Sequence, residues 1–333
     1  MNILIVRVSS LGDVVHNMPV VTDILRHYPG ANIDWVVEEA YTDLVRLNDG
    51  VRMVIPFALR RWRKTLFSAA TRAEMRAFYR ALRAETYDIV LDTQGLLKTG
   101  MVMGLARLAA GGKRVGLANS TEGSGYEAVS RIFHTASVPV GRRTHAVLRG
   151  RLVAAQALGY TTDSPADFGL RAPALPEAPG WLPDRPYAVF FHATARAAKQ
   201  WSATNWLQIA QNLAARGMPV LLAWGSEAEK QAADQLATGM PDARVLPKLS
   251  MMEAVTLAQR AALAIGVDTG LTHIAAAYKR PTIELYCDSP RWKTQGDWSP
   301  NIINLGDTGT PPTVAEVQAA IDSLLGPASN QAA

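Results

Sequence analysis

The stretch that decides the fold is "ILIVRVSSLGD", residues 3–13. It opens with isoleucine, leucine and valine, and a run rich in β-branched residues favours a buried strand. Small residues and an aspartate follow, at the point where a strand gives way to a helix. We therefore predict a first strand over residues 3–8, followed by a loop that delivers Asp13 to a ligand site.

The same alternation of short apolar runs and helical patterns continues along the chain. Further strands are predicted at 33–38, 52–57, 88–92, 114–118, 187–193, 219–224, 244–247, 263–267 and 282–286. Helices are predicted at 13–28, 72–85, 202–217, 227–239 and 313–326. Strands that alternate with helices indicate βαβ units and parallel sheets, so the fold class is α/β.

A change of composition divides the chain in two. Residues 171–187, "RAPALPEAPGWLPDRPY", contain five prolines, which is typical of a linker. The predicted order is an N-terminal domain, a linker, a C-terminal domain and a last helix that packs back on the N-terminal domain, with bounds 1–170, 171–186, 187–312 and 313–326. Parallel sheets bind ligands beyond the carboxyl ends of their strands, so we expect the site in a cleft between two such domains.

Composition narrows the classes of function. The 333 residues carry a net charge of +5, which suits anionic partners such as phosphates or a membrane surface. The single cysteine, Cys287, excludes a disulfide framework within the chain and a cysteine metal cluster. No apolar run is long enough for a transmembrane helix, and the first apolar run is too short for a signal peptide. A cytoplasmic location is therefore expected.

Common nucleotide and metal signatures do not occur in the sequence. No GxGxxG follows a predicted strand, no GxxxxGK[ST] is found, and neither an Asp-x-Asp pair nor a cluster with metal-ligand spacing occurs. A mechanism without a metal ion is favoured.

The segment "LAIGVDTGLTH", residues 263–273, is the more informative one. A strand ends at its valine, and Asp268, Thr269 and Gly270 precede a helix whose first N–H groups make an anion site. The alternative is that Asp268 or Thr269 only caps the helix. His273, one turn in, faces the ligand or packs in the core.

Two further segments follow strands in the same half. In "FFHATARAAKQW", residues 190–201, Lys199 lies in a polar loop where it could neutralise phosphate charge, although such lysines are often only solvated. Glu229 begins the next helix after another strand, where a carboxylate caps the helix or binds ribose hydroxyls. The common location of these features at strand ends supports a shared anionic ligand.

In the N-terminal half, the cations follow the third and fourth predicted strands. The run "RRWRK", residues 60–64, is ordinarily a solvated surface, but its place at a strand end fits an anionic substrate. The stretch "DTQGLLK", residues 92–98, brings Gln94 and Lys98 to the same end of the sheet.

Taken together, seven stretches resemble the ADP-heptose-dependent glycosyltransferases of family 9, and among them the heptosyltransferase I branch. They are "SSLGDVVHNMP" (9–19), "DWVVEE" (34–39), "RRWRK" (60–64), "DTQGLLK" (92–98), "HATARAAKQW" (192–201), "LPKLS" (246–250) and "VDTGLTH" (267–273). The resemblance spans essentially the whole chain. It implies a GT-B fold, with two Rossmann-like doubly wound domains facing a central cleft.

The same resemblance implies a reaction and its partners. Heptose would pass from ADP-L-glycero-β-D-manno-heptose to the Kdo of Kdo2-lipid A, with inversion at the anomeric carbon and with neither metal nor cofactor. The enzyme would act in lipopolysaccharide inner-core biosynthesis, as a peripheral protein on the cytoplasmic face of the inner membrane. Nucleic acid is not among the expected partners.

Site residues follow from the resemblance position by position. Asp13 matches the general base. The donor-side positions are Thr194, Lys199, Glu229, Asp268, Thr269, Gly270 and His273. The acceptor-side positions are Ser10, Arg60, Arg61, Arg63, Gln94 and Lys98. The chain departs from the family pattern at Ala195, where relatives often carry a second threonine, and over 126–128 and 286–293.

Three other readings compete with this one. The chain could be heptosyltransferase II or another sugar-nucleotide transferase, a sugar-nucleotide epimerase of the same fold, or a binding protein that clamps a sugar phosphate without chemistry. Release of ADP that depends on the acceptor would exclude a binding protein. Different acceptors would separate the transferases.

Overall fold

The computed structural model describes residues 1–175, 179–194 and 196–327. The chain folds as two compact units, unit 1 (Met1–Arg171) and unit 2 (Ala172–Ala333). The boundary between them lies at the start of the proline-rich segment 171–186. Each unit contains one parallel six-stranded sheet with helices between its strands, which confirms the predicted α/β class.

Unit 1 opens with the strand that the first residues predict. Its elements are β1 (Asn2–Val6), α1 (Leu11–His27), β2 (Asn32–Glu38), α2 (Thr42–Val45), β3 (Val51–Phe57), α3 (Leu59–Trp62), α4 (Ala69–Leu82), β4 (Tyr87–Asp92), α5 (Leu97–Leu105), β5 (Leu108–Leu117), β6 (Ala136–Val138) and α6 (Ala146–Leu158). The first helix begins at Leu11, two residues earlier than predicted, so Asp13 lies inside its first turn.

The sheet of unit 1 has the strand order β3-β2-β1-β4-β5-β6. Strand β1 pairs with β2 on one side and with β4 on the other, and all pairings are parallel. The strand order therefore reverses at β1, and a crevice for ligands is expected where the order reverses. Side chains such as Leu4, Val36 and Val90 fill the core against this sheet.

Unit 2 repeats the plan. Its elements are β7 (Ala188–Phe191), α7 (Ala203–Ala215), β8 (Val220–Leu222), α8 (Glu227–Gly239), β9 (Ala243–Val245), α9 (Met251–Arg260), β10 (Leu263–Val267), α10 (Gly270–Ala277), β11 (Thr282–Tyr286), β12 (Ile302–Gly306) and α11 (Val314–Leu325). The order β12-β11-β10-β7-β8-β9 again reverses between two central strands, β10 and β7.

The last helix, α11, packs on the core of unit 2. The expected packing of residues 313–326 on the N-terminal domain stays a prediction. The buried α11 residues Val317 and Ile321 belong to the same core as Ile283 and Leu285 of β11. The apolar face of α11 is used there, because this core would otherwise be open to water on that side.

Candidate functional site

Asp13 is held at the start of α1 by two elements of its own unit. Its Oδ2 accepts hydrogen bonds from the backbone N–H of Ser10 at 3.0 Å and from the Ser10 hydroxyl at 2.8 Å. Its Oδ1 lies 2.5 Å from Nη2 of Arg7 and 3.5 Å from Nη2 of Arg149. Both guanidiniums are buried, while the Asp13 side chain is 34% exposed. The buried arginines and Ser10 therefore fix the orientation of the carboxylate, while part of the side chain stays accessible to a ligand.

These contacts decide the charge of Asp13. Burial alone would raise the pKa of this carboxyl, but Arg7, Arg149 and the hydrogen bonds from Ser10 outweigh it and hold the pKa well below its ordinary value. Asp13 is thus a carboxylate at any physiological pH, able only to accept hydrogen bonds.

The predicted acceptor residues of β4 and α5 surround the same loop. Oε1 of Gln94 accepts a hydrogen bond from the N–H of Val8 at 2.9 Å, and Nζ of Lys98 donates to the hydroxyl of Ser9 at 3.0 Å. Burial, with the nearby Arg60, lowers the pKa of Lys98. The loop after β1 is therefore tied to the loop after β4, and Gln94 and Lys98 lie beside it.

The run "RRWRK" divides into members with different roles. Arg61 donates to Glu39 at 2.8 and 3.0 Å and to Glu74 at 3.0 Å, so its charge is matched inside unit 1. Trp62 is buried and donates its indole N–H to Glu74 at 2.8 Å. Arg60 lies 3.8 Å from a carboxylate and is 66% exposed, and Arg63 is exposed as well. Arg60, Arg63 and Lys64 are therefore exposed cations of the run that an anionic ligand could contact.

In unit 2, Asp268 follows β10 and contacts three side chains. Nζ of Lys199 donates to its Oδ2 at 2.5 Å, and its Oδ1 lies 3.1 Å from Nε2 of His273. The hydroxyl of Thr294 donates to the same Oδ1 at 3.1 Å. Burial would raise the pKa of Asp268, but His273 and Lys199 hold it well below its ordinary value.

His273 lies inside unit 2 and is 2% exposed. Its Nδ1 is 3.0 Å from Oε1 of Glu284, and its Nε2 faces Asp268. Burial would lower the pKa of His273, but the two carboxylates raise it to about 10, so the ring carries a positive charge at neutral pH. Both ring nitrogens are engaged, which makes His273 a support for Asp268 rather than a group that points at a ligand.

Thr269 and Gly270 stand where the sequence predicts them, at the start of α10. Thr269 is the residue before the helix, in extended backbone, and Gly270 is the first helical residue. The amide groups of this first turn carry the partial positive charge of a helix N-terminus. They follow Asp268 directly in the chain, so an anion there would lie close to the Lys199–Asp268 pair.

Glu229 is a capping residue in the structure. Its Oε2 accepts from the N–H of Gly225 at 2.7 Å and from that of Ser226 at 3.1 Å, which closes a capping box at the start of α8. Glu229 and Thr194 also line a cavity of about 600 Å³, whose wall includes Trp201. Glu229 therefore caps α8, as one of the two predicted roles requires. The same carboxylate also borders the cavity, which is large enough for a ligand. The departure at Ala195 lies outside the described residues.

Sequence reasoning missed several groups that contact Asp13 in unit 1 or His273 in unit 2. Arg7 sits at the end of an apolar strand, and Glu284 sits in the middle of "TIELY". A charged residue in a buried strand needs a partner, and this signal could have pointed to both. Arg149, in the middle of α6, gave no such local signal, because only the packing of α6 on α1 brings it to Asp13.

The described residues show neither a metal centre nor a membrane-spanning helix. They contain no group of three or more histidine, cysteine, aspartate or glutamate side chains that could hold a metal ion. None of the helices in the described ranges combines the length and apolar character needed to cross a membrane.

Comparison with known proteins gives consistent matches. The model of glycosyltransferase family 9 (heptosyltransferase) matches residues 75–320. Lipopolysaccharide heptosyltransferase 1 of Pseudomonas aeruginosa is 39% identical over 287 residues, which cover 86% of this chain and 78% of that protein. The structure of E. coli heptosyltransferase WaaC with ADP is 34% identical with a TM-score of 0.82, and covers 97% of this chain and 100% of that one. The same enzyme with ADP-2-deoxy-2-fluoro heptose is 35% identical, with a TM-score of 0.79 and coverage of 97% and 99%.

Proposed function

The chain belongs to glycosyltransferase family 9, the heptosyltransferases, and from this premise we propose that it transfers heptose in lipopolysaccharide inner-core synthesis. The donor is ADP-L-glycero-β-D-manno-heptose, and the acceptor is the Kdo of Kdo2-lipid A. The donor is supported by the similarity to an E. coli enzyme solved with ADP and with a fluorinated ADP-heptose. The enzyme would work as a peripheral protein on the cytoplasmic face of the inner membrane.

The observation that carries the proposal is the geometry of Asp13. Glycosyl transfer with inversion needs a carboxylate that takes the proton of the acceptor hydroxyl as its oxygen attacks the anomeric carbon. Asp13 is ionised, one third exposed, and prevented from turning away by Arg7 and Ser10. A base fixed in this manner loses little freedom when the acceptor arrives.

The leaving group is the second requirement. As the new bond to the anomeric carbon forms, the bond from that carbon to the β-phosphate oxygen breaks, and the electron pair remains on ADP. Lys199 and the first turn of α10 supply positive charge for this anion, and Asp268 with His273 keeps the lysine in place. Glu229 would accept hydrogen bonds from the ribose hydroxyls with its second oxygen.

The acceptor side belongs to unit 1. Kdo carries a carboxylate and lipid A carries phosphates, and Arg60, Arg63 and Lys98 are the cations of the predicted acceptor side that would bind them. Arginine grips a carboxylate with two parallel hydrogen bonds, which suits Kdo. Arg61, already paired with two glutamates, positions the run rather than binding the acceptor.

Acceptor-dependent release of ADP tests the proposal. The wild-type protein should release ADP from ADP-heptose only when Kdo2-lipid A is present, and the product should carry one added heptose. Asp13→Asn should abolish turnover while binding of ADP-heptose persists. ADP release without acceptor, isomerised sugar nucleotide as the product, or normal turnover by Asp13→Asn would contradict the proposal.

A further inference from the structure

The excess positive charge of the chain is confined to unit 1. Residues 1–171 contain 22 lysines and arginines against 15 aspartates and glutamates, whereas residues 172–333 contain 12 against 14. The densest part is residues 60–83, with eight cations and the single carboxylate Glu74. We call this stretch the basic segment. It comprises α3, the following loop and α4.

The cations of α4 form a row. Arg72, Arg76 and Arg80 are spaced four residues apart, which places them on one face of the helix, and all three are exposed. The opposite face buries Phe78 and Leu82 in the core of unit 1. The arginine row therefore faces solvent, while the opposite face of α4 packs in the core of unit 1 and holds the helix in place.

Large apolar side chains are exposed in the same segment. Leu66 and Phe67, in the loop before α4, are 47% and 86% exposed, and Met75 and Tyr79 on α4 are 39% and 45% exposed. Nη1 of Arg72 donates to the backbone oxygen of Phe67 at 2.9 Å, which ties the loop to the helix. Removing apolar side chains from water is favourable, so a partner that covers these four side chains would gain binding free energy.

We propose that the basic segment is a docking surface for an anionic lipid bilayer. The arginine row would lie over the lipid phosphates, while Phe67 and Leu66 enter the acyl region. Cations interleaved with aromatic and apolar groups characterise helices that lie in a membrane interface. The mixture favours a bilayer over a purely ionic polymer, because an ionic polymer offers no apolar phase to Phe67. The inference rests on the proposed function only in that a lipid-borne acceptor would place the enzyme at such a surface.

Vesicle binding tests the proposal without donor or acceptor. The probes are vesicles of 70% phosphatidylcholine and 30% phosphatidylglycerol, compared with pure phosphatidylcholine. The wild-type protein should bind the anionic vesicles and lose binding as salt rises. The double variant Arg76→Ala with Arg80→Ala should lower the partition coefficient roughly 20- to 30-fold, at about 1 kcal/mol per arginine. Phe67→Ala should lower it several-fold at low and high salt alike.

The chain offers matched controls for both variants. Arg142 and Arg143 are exposed arginines of unit 1 outside the basic segment, and Ile132 is a 72% exposed apolar residue on another element. Alanine at Arg142 and Arg143 together, or at Ile132, should leave the partition coefficient within about twofold of wild type. Equal losses in these controls, equal binding to neutral vesicles, or insensitivity to Phe67→Ala would overturn the proposal.

Activity separates this inference from the proposed function. With a deacylated, water-soluble Kdo acceptor, the arginine and phenylalanine variants should turn over at the wild-type rate. With acylated acceptor in vesicles they should lose rate in proportion to their loss of binding. Failure of the wild type on both acceptors would overturn the proposed function while the vesicle result stands. Wild-type rates on vesicle-borne acceptor by variants that no longer bind would overturn the docking surface.

Discussion

Two buried guanidiniums, those of Arg7 and Arg149, lie against the single carboxylate of Asp13. Arg149 reaches Asp13 from α6 and also donates to the hydroxyl of Thr121 at 3.0 Å. Burial, and after it the charge of Arg7, lower the pKa of Arg149 to about 10. The two guanidiniums keep Asp13 ionised.

We expect Arg149→Met to move the acid limb of the pH profile of kcat to higher pH. Asp13 has a depressed pKa because its charge is neutralised, so removing one cation lets burial raise that pKa. The variant should therefore lose activity at a pH where the wild type is still fully active. The measurement is kcat from pH 4.5 to 8.

The control lies two residues along the same helix. Arg151 is equally buried, and its Nε donates to Asp23 at 2.6 Å, away from the site. Arg151→Met should reduce stability and leave the acid limb where it is. An unshifted acid limb in Arg149→Met would show that this arginine does not act on Asp13.

At the scale of elements, the start of α8 is closed by the capping contacts of Glu229, and we propose that the same carboxylate binds the donor. Glu229→Gln keeps a side chain that can accept from Gly225 and Ser226, so the free energy of unfolding should change by less than about 1 kcal/mol. If the carboxylate also binds ribose, the KM for ADP-heptose should rise roughly five- to tenfold, because a hydrogen bond to a charged group is the stronger one.

Helix α9 supplies the matched variant. Glu253 forms the same capping box, accepting from the N–H of Ser250 at 2.8 Å. Glu253→Gln should have the same small effect on stability and none on KM. Equal KM values for the two variants would leave Glu229 with its capping role alone.

The pairing of α10 with β11 through His273 predicts a pH dependence of stability. The pKa of His273 is raised to about 10 in the folded protein, above the value of about 6.5 in an unfolded chain. Its stabilisation is therefore complete below about pH 6.5 and is lost as pH rises through about 10. His273→Ala should cost about 3–5 kcal/mol at pH 6.5, because it leaves Asp268 and Glu284 without their shared cation.

Urea unfolding at pH 6.5 and pH 10 measures this effect. The difference between wild type and His273→Ala should shrink at the higher pH. His27 is exposed at the end of α1, and His27→Ala should lower the free energy of unfolding at pH 6.5 by much less than His273→Ala does. A constant gap for His273→Ala would contradict the charged state of the buried ring.

At the scale of the whole molecule, we propose that the positive charge that receives ADP comes from the chain itself, from Lys199 and the first turn of α10. The described residues contain no group of three or more histidine, cysteine, aspartate or glutamate side chains that could hold a metal ion. Turnover should therefore survive excess EDTA. Loss of turnover in EDTA that magnesium restores would contradict this expectation, and the test requires protein purified without added metal.

Most strands and helices could be predicted from the sequence, and the strands that were missed have a physical explanation. Strands 263–267 and 282–286 are predicted to the residue, because both are buried on two faces and read as apolar runs. Strands β6 and β12 were missed because each contains a single buried residue, and a polar residue, Ser137 or Asn304, interrupts its apolar run. The predicted GT-B fold is confirmed by the similarity to heptosyltransferase structures.

The site could be predicted only as far as chain position allows. Asp13, Lys199 and Asp268 each follow a strand along the chain. They could be predicted as site residues because the ends of buried strands can be recognised in the sequence. That Arg149 faces Asp13, or that Glu284 faces His273, depends on packing between elements that are distant along the chain.

The placement of α11 has a consequence for synthesis on the ribosome. This last helix completes the core of unit 2. The sheet of unit 1 lies within residues 1–171, which leave the ribosome before the residues of unit 2 do. Unit 1 can therefore begin to fold while unit 2 is still being translated, as domains generally do. A nascent chain released after residue 171 should be a folded, protease-resistant product, whereas one released before α11 should carry an intact unit 1 followed by a segment open to digestion.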